Sequence, residues 1–252
     1  MPGNELAVIA YLLSMLNKIT LPHLGKIIEI GAPNPSAQGY KIISEPSDVS
    51  TEDSRKKADI YLNGKGVSIK QSGGSFLFNR LQRAELQKVY SDLDYTDIDA
   101  KLQQIDKTIS DFHSGVTEGR NLPWQDLFNE TDFKTLLHFL TMQGSPNYGD
   151  STHPAEFILE AINSPTKPSD IHLMTFDEYF DTYKNQLKIA MRRQWVGQDS
   201  DSEHGRALSL IKKEGNAPWI FNDVIGQPIS GWRQDIAEKD RKTVYFLMIE
   251  KT

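Results

Sequence analysis

The stretch Lys57-Ala58-Asp59-Ile60-Tyr61-Leu62-Asn63-Gly64-Lys65-Gly66-Val67-Ser68-Ile69-Lys70 constrains the fold more than any other part of the chain. Asn63-Gly64-Lys65-Gly66 supplies residues that tolerate the positive φ a hairpin turn demands, and β-forming residues flank it on both sides. The segment therefore predicts two short antiparallel strands. Side chains alternate along a strand, so one that buries Val67 and Ile69 presents Ser68 and Lys70 together on its other face. Folding the ribbon back on itself brings Asp59 alongside.

Length and composition set the frame around this hairpin. A chain of 252 residues with 38% hydrophobic and 25% charged residues can bury a substantial core, as one large domain or as a core with a second lobe. It has no cysteine, which removes disulfides, thiolate metal sites and a cysteine nucleophile. The apolar run Leu6 to Leu13 lacks a basic leader and is too short to span a bilayer, so it predicts a buried first helix and a cytoplasmic protein. The net charge is −6 but uneven. Ten acids against four bases lie between Ser91 and Thr135, while seven bases against three acids lie between Lys184 and Lys213. A local basic face still attracts a polyanion, because the field acts over roughly 10 Å at moderate salt.

Along the chain, Asn4 reads as the cap of a helix to about Leu16 with the stripe Leu6, Ile9, Leu13 and Leu16. Gly31 to Gly39 reads as loop, Tyr40 to Ile43 as an edge strand and Ser44 to Arg55 as a surface loop. Helices are expected over Phe76 to Tyr90, Asp97 to His113, Thr131 to Leu140, Pro154 to Ile162 and Asp177 to Asn185. Strands are expected over Asp170 to Met174, Leu187 to Val196, Ala207 to Lys212 and Thr243 to Ile249. The two prolines of Asn163 to Ser169 mark the expected boundary between a core of residues 1–163 and a mixed α/β lobe of residues 164–252.

The hairpin carries the chemistry. A carboxylate at Asp59 with an ammonium at Lys70 suits a divalent cation and a phosphodiester placed between them. Mg²⁺ takes hard oxygen ligands, polarises a phosphoryl oxygen and lowers the pKa of bound water. Lys70 is expected to orient or help deprotonate that water and to offset charge in the transition state. One carboxylate is a thin ligand set, and Ser68 cannot supply the second. Glu85, on the expected helix after the hairpin, is the candidate, with Glu29 and Glu45 as alternatives.

Asp59, eight intervening residues, then Ser68-Ile69-Lys70 resembles the PD-(D/E)xK nuclease superfamily, and within it the type II restriction endonucleases. The resemblance covers about Lys56 to Leu86. It implies an α/β fold, a mixed β-sheet core flanked by helices, with the strand-rich C-terminal lobe beyond it. Ser68 stands where the family usually has an acid, and Ala58 where it often has proline. Some restriction enzymes with serine at that position recover the carboxylate from the following helix, the role Glu85 takes here. The resemblance also implies a metal contact from the Ile69 carbonyl. It gives the expected function as Mg²⁺-dependent double-strand cleavage at a short DNA sequence, with a DNA methyltransferase as genetic partner and a homodimer as a possible assembly. A structure-selective or repair nuclease of the same superfamily, and a non-catalytic DNA-binding protein of the same fold, are the rival readings.

Residues placed to meet DNA are Gln71, Ser72, Asn79, Arg80 and Arg83 directly after the lysine strand. Arg192, Arg193 and Arg206 lie in the C-terminal half, where arginines on strands and loops can read guanine. The six histidines show no metal-binding spacing. Neither a phosphate-binding loop nor a serine-hydrolase elbow occurs, so a nucleotide motor and a serine hydrolase lack support.

Overall fold

Asn63 and Gly64 adopt φ of +49° and +80°, which closes the expected hairpin as a two-residue turn. The computed structural model describes residues 5–35, 37–49, 55–74, 76–113, 116, 121–195 and 243–252. In chain order, helix α1 (Glu5–Ser14) leads to a short ladder of β1 (Thr20–Leu21) and β2 (Gly25–Lys26). Then come β3 (Ile30–Pro33), β4 (Tyr40–Ile42), β5 (Ile60–Leu62), β6 (Lys65–Gln71) and β7 (Phe76–Gln82). Helices α2 (Leu86–Asp92) and α3 (Ile98–His113), strand β8 (Asn121–Pro123) and helix α4 (Glu130–His138) follow. A second short ladder, β9 (Gly144–Ser145) with β10 (Gly149–Asp150), precedes β11 (Phe157–Ala161), β12 (Ile171–Met174) and α5 (Phe176–Tyr183). Strands β13 (Leu187–Trp195) and β14 (Thr243–Lys251) complete the described chain.

The chain divides into two units, each discontinuous in sequence: residues 1–75 with 134–185, and residues 76–133 with 186–252. The expected boundary at Asn163 is not one of the crossings. The first unit holds a six-stranded mixed sheet ordered β12-β11-β6-β5-β3-β4. Strands β3, β5 and β6 pair antiparallel, whereas β11 lies parallel to β6. One face of this sheet, through Ile60, Leu62, Val67, Ile69 and Leu159, packs on Val8, Ile9 and Leu12 of α1. The helix buries that stripe, while Leu6 is 43% exposed. The edge strand expected at Tyr40 is β4.

The second unit holds an antiparallel sheet ordered β7-β14-β13-β8. Its core includes Leu81, Ile189, Met191, Leu247 and Ile249. Trp124 stacks on Phe133 with ring centroids 4.6 Å apart.

Two expected helices are corrected. Phe76 to Gln82 is strand β7, followed by a 3₁₀ turn (Arg83–Glu85) before α2 begins. Its helix-like spacing of Leu77, Leu81 and Ala84 yields to pairing with β14, a partner far along the chain. Pro154 to Ile162 is not helical either: Phe157–Ala161 is β11, a central strand buried on both faces that shows no alternation to read. Expected strands at Asp170, Leu187 and Thr243 appear as β12, β13 and β14. The strand expected over Ala207 to Lys212 and the cap at Asn4 lie outside the described residues. Among the described residues no helix is long and apolar enough to cross a membrane.

Close packing of β6 against the start of β11 depends on Gly66. A Cβ there would sit 2.4 Å from the Pro154 carbonyl oxygen and 3.2 Å from the Ala58 side chain. The first contact is with backbone, so one of the strands has to shift. Gly66→Ala is therefore expected to destabilise the protein by about 1–3 kcal/mol in urea unfolding; a midpoint unchanged from wild type would show that the strands have slack.

Candidate active site

The Asp59 carboxylate is fixed by the strand that carries Lys70. Asp59 N–H donates to the Val67 carbonyl at 2.9 Å, and Asp59 Oδ2 accepts the Ile69 N–H at 2.7 Å. Ser68 Oγ donates to the same oxygen at 3.4 Å, a long contact. An extended residue points its N–H and C=O to the same side, so the Ile69 carbonyl faces the edge on which Asp59 sits. Ser68 is buried, Lys70 is half-buried, and Gln71 at the strand end and Ser72 in the turn that follows are exposed.

His153 anchors the approach to Asp59. Its carbonyl accepts both the Lys57 and Ala58 N–H groups at 2.9 Å. Its ring is 1% exposed, with Nε2 at 2.9 Å from the Asn34 carbonyl and Nδ1 at 3.0 Å from the Tyr61 hydroxyl. A carbonyl only accepts, so a neutral ring carries its proton on Nε2 and takes one from Tyr61 on Nδ1. Both nitrogens are thereby used structurally.

Glu5, in the first turn of α1, shares the electrostatic surroundings of this hairpin. Burial raises its pKa first, the Asp59 carboxylate raises it further, and Lys70 and Lys56 oppose both. Two carboxylates that disfavour each other's charge are what a cation relieves. The Lys57 amine donates to the Leu140 carbonyl at 2.7 Å. Its pKa is pushed down to about 8, by burial first and then by Lys70, with Asp59 opposing.

The acids weighed from sequence each have a local hydrogen-bond partner. Glu85 belongs to the second unit, where its carboxylate accepts the Gln82 N–H at 3.0 Å and caps its own 3₁₀ turn. Burial raises its pKa, and the Gln82 hydrogen bond opposes that. Glu29 accepts the Tyr40 hydroxyl at 2.6 Å, and Glu45 accepts the Ser47 hydroxyl at 3.3 Å. Sequence reading missed Glu5, which local patterning marks only as an acid in a first helical turn. It also missed Glu160, whose strand was read as helix.

Arg83 is corrected as a DNA contact. It is 4% exposed, and its guanidinium is bound to both Asp106 oxygens, with Nη2 at 2.7 Å. Asn79 and Arg80 lie on β7 and Arg192 and Arg193 on β13, but their side chains, and all of Arg206, lie outside the described residues.

Among the described residues no cluster of three or more acids or histidines forms a metal cage. The available donors are the Asp59 and Glu5 carboxylates and the Ile69 carbonyl. These are oxygen donors of the kind taken by Mg²⁺, which is held through one or two carboxylates and otherwise keeps its waters. Comparisons with family models, curated proteins and solved structures find no match to the chain.

The raised pKa of Glu5 gives a test with a definite sign. The folded protein holds this proton more tightly than the unfolded chain, so its contribution to stability is full below about 4.5 and is lost as pH rises through the higher folded value. At neutral pH the Glu5 charge then costs stability unless a cation offsets it. Glu5→Gln is expected to raise the thermal midpoint at pH 7 without Mg²⁺ and to shrink the further rise that Mg²⁺ produces in wild type. An equal Mg²⁺ response in both proteins would exclude Glu5 as a ligand.

Proposed function

We propose that the protein is a Mg²⁺-dependent nuclease of the PD-(D/E)xK type, a type II restriction endonuclease cutting double-stranded DNA at a short specific sequence. The observation that carries this reading is the pair of hydrogen bonds from Ile69 N–H and Ser68 Oγ to Asp59, which fixes the acid beside the strand that presents Lys70. The mixed sheet flanked by helices is the form the sequence resemblance implied. Gln71 and Ser72, exposed just beyond Lys70, supply polar groups where a phosphate backbone would run.

In this reading Asp59, Glu5 and the Ile69 carbonyl hold Mg²⁺. When bound, Mg²⁺ polarises the scissile phosphoryl group and makes its water more acidic. Lys70 orients the attacking water and stabilises negative charge as it grows on the phosphoryl oxygens. Ser68 donates to Asp59 and keeps the carboxylate turned toward the strand end. Lys57 adds a second amine whose place is fixed by the Leu140 carbonyl.

Purified protein incubated with Mg²⁺ and plasmid or genomic DNA is expected to give discrete fragments, and sequencing their ends is expected to give one short motif. Asp59→Asn and Lys70→Ala are expected to lower the cleavage rate by roughly 100-fold or more, with DNA binding retained in gel shift. Wild-type activity in either variant would refute the assignment. Cleavage confined to junctions or free ends would identify a structure-selective nuclease instead.

A further inference from the structure

Every polar atom of His153, main chain and ring alike, has a hydrogen-bond partner. Its N–H donates to Ser151 Oγ at 3.1 Å, and that hydroxyl donates to the Arg55 carbonyl at 2.6 Å. Its own carbonyl takes the N–H groups of Lys57 and Ala58, the two residues before Asp59. Residues 151–153 thus grip the main chain on both sides of Lys56, just before that chain delivers Asp59. The ring anchors the grip. Nε2 meets the carbonyl of Asn34, which directly follows β3, and Nδ1 meets the hydroxyl of Tyr61 on β5. Tyr61 is in turn stacked on Tyr40 of β4, with ring centroids 4.5 Å apart. The ring is therefore tied to three strands of the sheet, and the backbone it carries cannot turn without straining those bonds.

We propose that His153 is a positioning residue of the cleavage site: its ring, tied to Asn34 and Tyr61, fixes the main chain that brings Asp59 to the cation. The inference rests on the nuclease reading above. The place calls for a side chain with one donor and one acceptor, because the Asn34 carbonyl only accepts and the Tyr61 hydroxyl then donates. A neutral imidazole with its proton on Nε2 meets that need. An apolar side chain there leaves both partners unpaired, which costs more than the bonds themselves are worth, and frees the segment before Asp59. Catalytic groups are held to within about 0.5 Å of their productive geometry, so slack of that size in residues 55–58 is enough to weaken cation binding. His153 touches neither DNA nor Mg²⁺; it acts through Asp59.

The test uses the full chain, with Mn²⁺ affinity by electron paramagnetic resonance and single-turnover plasmid cleavage in Mg²⁺ measured side by side. His153→Ala is expected to weaken Mn²⁺ binding and to lower the rate by roughly tenfold each, and Tyr61→Phe by severalfold, with DNA affinity in gel shift unchanged. His153→Gln is expected to restore part of both, because an amide also offers one donor and one acceptor. Added to Asp59→Asn, His153→Ala is expected to cost no further rate, since its effect passes through that carboxylate. Nitrogen-15 NMR of the wild-type ring is expected to find the proton on Nε2. Unchanged Mn²⁺ affinity in a folded variant, the same fold loss in the Asp59→Asn background, or a proton on Nδ1 would overturn the proposal. Tyr61→Phe carries the test if His153→Ala does not fold. A wild type that binds Mn²⁺ but cuts no DNA would sink the nuclease reading alone, and the Mn²⁺ measurement then decides the positioning. A wild type that takes up no Mn²⁺ would overturn both.

Discussion

A carboxylate that accepts a main-chain N–H from the neighbouring strand cannot drift from it, and the site depends on that constraint. Asp59 is tied to Ile69 by its side chain and to Val67 by its backbone. The Asp59 carboxylate is thus held by strand geometry against the strand that carries Lys70. Preorganisation of this kind is what electrostatic catalysis requires, since charges already in place need not reorganise as the reaction proceeds. His153 completes the arrangement from the other side by gathering the Lys57 and Ala58 N–H groups before the strand begins.

The hairpin was legible because its determinants are local. Asn63-Gly64 fixes the turn, alternation fixes the faces, and the two together bring Asp59 to Lys70. The acid proposed here to share a cation with Asp59 was not legible, because its position depends on contacts between segments distant in sequence. Glu5 reaches the hairpin only because α1 packs on the sheet through Val8, Ile9 and Leu12. Glu160 falls in register with Lys70 only through the parallel pairing of β11 with β6. Phe157 to Ala161 is buried on both faces, so it carries no alternation, and Pro154 before it imitates the first turn of a helix. Phe76 to Gln82 misleads in the same manner, with leucine spacing that suits a helix and a strand partner near the other end of the chain.

The chain leaves the first unit after Ser75, a few residues beyond Lys70, and leaves it again after Asn185. Net charge is no guide to a polyanion here, because the acids concentrate between Ser91 and Thr135, within or next to the second unit. Arg83 is spent on Asp106 inside that unit.

The central claim is that Asp59, Glu5 and the Ile69 carbonyl surround one divalent cation beside Lys70. Anomalous diffraction from crystals soaked in Mn²⁺ tests it most directly. The arrangement described here predicts a single strong peak bounded by those three groups. A peak bound to other residues, or none at millimolar Mn²⁺ with the hairpin intact, would contradict it.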